Sequence, residues 1–122
     1  MARILIIDDE SSVRKVLRHM LERDGHEVVE APDGHMGLRL YREHPTDLIV
    51  TDILMPEKEG IETILELRKT SPGVRILAIS GGGRMSKYDL LETAEKFGVA
   101  KTLAKPFERQ EFLAAVQEML AT

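Results

Sequence analysis

The chain has no cysteine and no tryptophan among its 122 residues. Without thiols there is no disulfide and no thiolate metal site, which fits a reducing cytoplasm. Only 4% of residues are aromatic while 43% are hydrophobic, so the core must be aliphatic. Positive charge is not in surplus either. With 17 basic and 21 acidic residues the net charge is −4, and the basic ones are scattered, which excludes a nucleic-acid-binding stripe. No apolar run approaches the roughly 20 residues that span a bilayer. The first such run breaks on acids after Ile7, too early for a signal peptide. The composition describes one soluble cytoplasmic domain of ordinary size.

What is present alternates between strand-length apolar runs and helical periods. Arg3 to Asp8 reads as a first strand. Ser11 is the expected N-cap of a helix whose core stripe is Val13, Val16, Leu17, Met20 and Leu21, ending at Asp24-Gly25. A short strand, Glu27 to Glu30, leads through Pro32-Asp33-Gly34 into a second helix ending near His44-Pro45. Asp47 to Asp52 is a third strand, Pro56 to Gly60 a turn, and Ile61, Ile64 and Leu65 mark a third helix, broken at Pro72-Gly73. Val74 to Ser80 is a fourth strand, followed by Gly81-Gly82-Gly83 and a helix to Phe97-Gly98. Lys101 to Ala104 is the fifth strand, and a last helix follows Lys105-Pro106. Five strand–helix pairs with short links predict an α/β, doubly wound parallel sheet with helices on both faces. Residues 1–122 read as a single domain, with no effector domain in this chain.

In such a sheet, ligands sit beyond the carboxyl ends of the strands. Those ends carry Asp8 and Asp9, Asp52, Ser80 and Lys105. Three acids against one lysine leave net negative charge, which suits a hard divalent cation, Mg²⁺ best. A lysine and a hydroxyl beside it suit a phosphoryl group, with Asp52 as carboxylate nucleophile. Each acid alone would read as a solvated loop residue; it is their convergence that points to a site. The histidines, His19, His26, His35 and His44, lack metal-ligand spacing and are expected to face solvent. The glycine triplet has no GxGxxG or Walker context and reads as a flexible loop.

With these residues in order, the whole chain resembles a response-regulator receiver domain of two-component signalling. The matching features are Asp8-Asp9, Asp52 followed by Met55-Pro56 and Gly60, Ser80 closing the fourth strand, and Lys105-Pro106-Phe107. The resemblance implies a flavodoxin-like (βα)5 fold with strand order 2-1-3-4-5. It implies that Asp52 accepts a phosphoryl group from a sensor histidine kinase or histidine phosphotransfer protein, and that the switched domain controls a downstream protein target. Asp9, Asp52 and the backbone carbonyl of Leu54 would bind Mg²⁺, with Asp8 assisting, and Ser80 and Lys105 would contact the phosphoryl oxygens. A cis Lys105-Pro106 bond is also implied. Neither nucleic acid nor membrane is expected as a direct partner. The protein would catalyse only its own phosphorylation and dephosphorylation.

Two departures from the family pattern bear on switching. Thr102 stands where relatives often carry an aromatic, and the segment after Ser80 is longer and opens on Gly81, Gly82 and Gly83. Two other readings compete. A Mg²⁺-dependent phosphohydrolase with an aspartyl nucleophile would need an Asp-x-Asp pair on the first strand and a cap. A phosphorylation-independent pseudo-receiver would not need the intact acid set and Lys105.

Overall fold

The computed structural model describes residues 2–52, 59–80, 99, 101–104 and 107–121. The expected turn from Pro56 (apart from Glu59 and Gly60), the helix ending at Phe97-Gly98, the glycine triplet and Lys105-Pro106 lie outside these. Five strands, β1 (Arg3–Ile7), β2 (Glu27–Ala31), β3 (Leu48–Asp52), β4 (Ile76–Ser80) and β5 (Lys101–Ala104), form one parallel sheet. Its order is β2-β1-β3-β4-β5, as the resemblance implies. Among the described residues four helices accompany it: α1 (Ser11–Arg23), α2 (Gly34–Glu43), α3 (Glu59–Thr70) and α4 (Arg109–Ala121).

Strand alternation divides the core into two layers. Ile4, Ile6, Val28, Leu48, Val50, Leu77 and Ile79 point to one face and pack on Leu17 and Leu21 of α1 and Phe112, Val116 and Met119 of α4. Leu5, Ile7, Ile49, Ile76 and Ala78 point to the other and pack on Ile64 and Leu67 of α3, with Leu38 and Tyr41 of α2 against them. Because β1 and β3 are covered on both sides, they carry uninterrupted apolar runs instead of an alternating pattern. Each fully buried aliphatic there contributes about 1.5–3 kcal/mol relative to exposure.

Local chemistry sets the helix ends. The Asp33 carboxylate caps α2 by accepting the Met36 N–H at 2.8 Å. At the end of α1, His26 N–H reaches the Leu21 carbonyl and Gly25 N–H the Glu22 carbonyl, each at 3.0 Å. This double bond pattern needs a left-handed residue, and Gly25 supplies it with φ +89°.

Several expectations are corrected. The N-cap of α1 is Glu10, not Ser11, because the Asp8 carboxylate already turns the chain by accepting the Glu10 N–H at 2.9 Å. Gly60, expected in a turn, is helical and belongs to α3. Val16 and Leu65 belong to the apolar stripes by spacing yet are 54% and 46% exposed. Each sits one residue, about 100° of rotation, from a buried neighbour and so falls on the flank of its stripe. His26 is half-buried, its Nδ1 accepting the Ala2 N–H at 3.2 Å, whereas His19, His35 and His44 are exposed as expected.

Candidate functional site

The β1–β3 register brings the acids together. Ile4 pairs with Leu48, Ile6 with Val50 and Ile7 with Thr51, so one further step sets Asp8 beside Asp52. Both continue the rows that face α1 and α4, Ile4/Ile6 and Leu48/Val50. Both are deeply buried, Asp8 at 2% and Asp52 at 4% exposure. Asp9, one position on, is exposed, as is Glu10.

The β1–α1 turn folds the acids onto one another. Asp8 N–H still reaches the Ala31 carbonyl of β2 at 3.2 Å, its carboxylate takes the Glu10 N–H, and the helix begins at once. Carboxylate oxygens of Asp8, Asp9 and Glu10 consequently lie within 4.8 Å of one another. Glu10 is not among the ligands that the resemblance implies. Its signal was visible in the run of three acids, but only the turn brings its side chain back. This is a hard, all-oxygen, anionic donor set, the chemistry that magnesium prefers.

Of the other predicted residues, Ser80 and Thr102 are among those described. Ser80 ends β4, the strand next to β3, and is aligned with Ala104 of β5. Thr102 is half-buried on β5, aligned with Ala78. Leu54, Lys105 and Gly81 to Gly83 lie outside the described residues. Immediately after Lys105-Pro106, Phe107 stacks on the fully buried Phe112, with ring centroids 5.7 Å apart. That contact ties Phe107 to the core.

Residues 4–117 match the response regulator receiver domain family. Over 119 residues the chain is 34% identical to the chemotaxis protein CheY of Bacillus subtilis, covering 97% of each. It is 32% identical to the transcriptional regulatory protein CpxR of Escherichia coli, spanning 98% of this chain but only half of that one. A receiver domain crystal structure from Clostridium thermocellum superimposes with TM-score 0.88 at 32% identity, covering 99% of this chain and 95% of the other. The chain belongs to the response regulator receiver domain family: it is a phosphoacceptor signalling domain of two-component systems. Neither the phosphohydrolase nor the pseudo-receiver reading is favoured by that membership. Among the described residues no helix is long and apolar enough to cross a membrane.

Proposed function

We propose that Asp52 is the phosphoacceptor, taking a phosphoryl group from a histidine of a sensor kinase or phosphotransfer protein in the cytoplasm. The observation that carries this is the pair of buried carboxylates, Asp8 and Asp52, side by side at the ends of β1 and β3. An Asp52 carboxylate oxygen attacks phosphorus as the phosphorus–nitrogen bond of the donor breaks. The imidazole leaves and the phosphoryl group ends as an aspartyl phosphate. Asp8, Asp9, Asp52 and the Leu54 carbonyl would hold Mg²⁺, which would supply the positive charge that lets an anionic nucleophile approach an anionic phosphoryl group. Lys105 and Ser80 bind the transferred oxygens, coupling the modified residue to β4 and β5. The domain catalyses this transfer and its reversal by water on itself alone, and its output is a contact with a downstream protein.

The test is intact-mass measurement with acetyl phosphate as donor. One phosphoryl group is expected on the wild type with Mg²⁺, none without it, and none on Asp52→Asn. Equal labelling of the variant would overturn the assignment.

Switching follows from Thr102. A threonine is too small to fill the space vacated when the Ser80 hydroxyl moves toward a phosphoryl group, so the moving part is Gly81, Gly82 and Gly83 with the residues after them. Three successive glycines change backbone conformation at little steric cost. Hydrogen exchange with a fluoroberyllate mimic is expected to show protection in 81–90 well above that in 101–104, unchanged by Thr102→Ala. Protection centred on 101–104 and lost in that variant would make Thr102 the switch instead.

A further inference from the structure

Glu30 continues the β2 row of Val28, which faces α1. An acid there would be poorly solvated on a closing helix–sheet interface, but two arginines of α1 meet it. Arg14 Nε donates to Glu30 Oε1 at 3.2 Å and Arg18 Nη1 to Oε2 at 2.8 Å. Arg18 also reaches Glu22, at 3.3 Å. The Arg18 guanidinium holds the Glu30 carboxyl below the ordinary glutamate range; burial opposes this and Arg14 adds to it.

Arg14 does more than pair with Glu30. Its Nη1 donates to the backbone carbonyl of Asp8 at 2.6 Å, just beyond the last ladder residue of β1. The main chain at Asp8 is therefore fixed on both sides, its N–H on Ala31 and its carbonyl on Arg14. The Arg14 side chain is 15% exposed and that of Glu30 22%, so the strap is largely shielded from water. A guanidinium is a planar fork with donors in fixed directions, and one such group spans a carboxylate on β2 and a carbonyl after β1. An ammonium keeps the charge but not the fork.

We propose that Arg14 is a positioning residue for cation binding: by clamping the Asp8 carbonyl against Glu30 of β2, it holds the β1–α1 turn so that its acids converge. This rests on the reading of Asp8 and Asp9 as Mg²⁺ ligands. It makes a prediction opposite in sign to simple electrostatics. A positive charge near an acidic cluster repels a cation, so removing Arg14 would tighten Mg²⁺ binding if charge were all that mattered. Positioning requires the reverse.

The experiment is calorimetric titration of Mg²⁺ into the full chain, with folding monitored by circular dichroism. Arg14→Gln and Arg14→Lys are each expected to weaken Mg²⁺ affinity about tenfold, the low end for loss of a group that orients a metal's ligands. Arg18→Gln, which breaks the outer arm of the network and leaves the Asp8 contact, is expected to bind as wild type does. Because Arg14→Lys keeps the charge and an aliphatic stem, it serves if Arg14→Gln does not fold. Wild-type affinity in the folded lysine variant, or tighter binding in folded Arg14→Gln, overturns the proposal. Failure of the underlying reading looks different: wild type would then bind no Mg²⁺, or Asp9→Ala would bind it unchanged.

Discussion

Asp8→Asn is expected to raise the stability of the metal-free protein and to remove most of the stabilisation that Mg²⁺ brings. Asp8 and Asp52 are 2% and 4% exposed on adjacent strands, and neighbouring strands lie about 4.8 Å apart. Two carboxylates at facing positions of adjacent strands disfavour each other's charged form. Lys105, proposed at the same edge, offsets part of this, so a net gain of about 1–2 kcal/mol is expected on neutralising one acid. Asparagine keeps the size of the side chain and an oxygen for the Glu10 N–H, so the turn into α1 survives. The gain corresponds to roughly 4 °C in melting temperature per kcal/mol for a domain of this size. With Mg²⁺ the order reverses, because a cation that binds only the folded state stabilises in proportion to its affinity, and the variant has lost a ligand. Melting curves of both proteins with and without Mg²⁺ measure both effects. A variant less stable than wild type without metal would show that Asp8 is held by favourable pairing and not opposed by Asp52.

Gly37→Val is expected to destabilise the fold by about 1–3 kcal/mol, the usual cost of overpacking. Helix propensity alone points the other way, since glycine is the poorest helix residue short of proline. Packing wins because α2 lies almost in contact with β1 at this point. A Cβ on Gly37 would overlap the Cδ1 of Ile7 and stand 2.8 Å from its Cγ1. Ile7 is 1% exposed, so its side chain must shift within a packed core. Valine adds two methyl groups to that overlap. Ile7 also immediately precedes Asp8, so a displaced Ile7 should weaken Mg²⁺ binding as well. Gly73 provides the control: a Cβ there meets nothing within 4 Å, so Gly73→Ala is expected to change stability little. Urea midpoints of the two variants decide the matter. A Gly37→Val protein as stable as wild type would mean that α2 moves freely off the sheet.

Among the described residues, the sequence by itself determined the elements and their order. β5 runs from Lys101 to Ala104 as expected, β1, β2 and β3 differ from expectation by one residue, and β4 starts two residues later than expected. These are local signals: continuous apolar runs, Gly25 and Pro72-Gly73 as punctuation, and acids stopping the strands. The class of protein was legible too, because the motifs sit at strand ends and a parallel sheet gathers those ends on one edge. Tertiary structure decided what depends on partners far away in the chain. Asp8 and Asp9 are identical neighbours, yet one is buried and the other exposed. The register against Leu48 to Asp52 and the turn at Glu10 separate them. Val16 and Leu65 fit their helical stripes, but how far each helix face is covered depends on where it settles on the sheet. Arg14 reads as an ordinary exposed helix residue until Glu30, 16 positions later, comes beside it. Gly37 reads as a weak point in a helix until Ile7, 30 positions earlier in the sequence, proves to need its missing side chain. Periodicity specifies which face of an element is apolar; the distance and rotation at which two elements meet are set by all their side chains packing together.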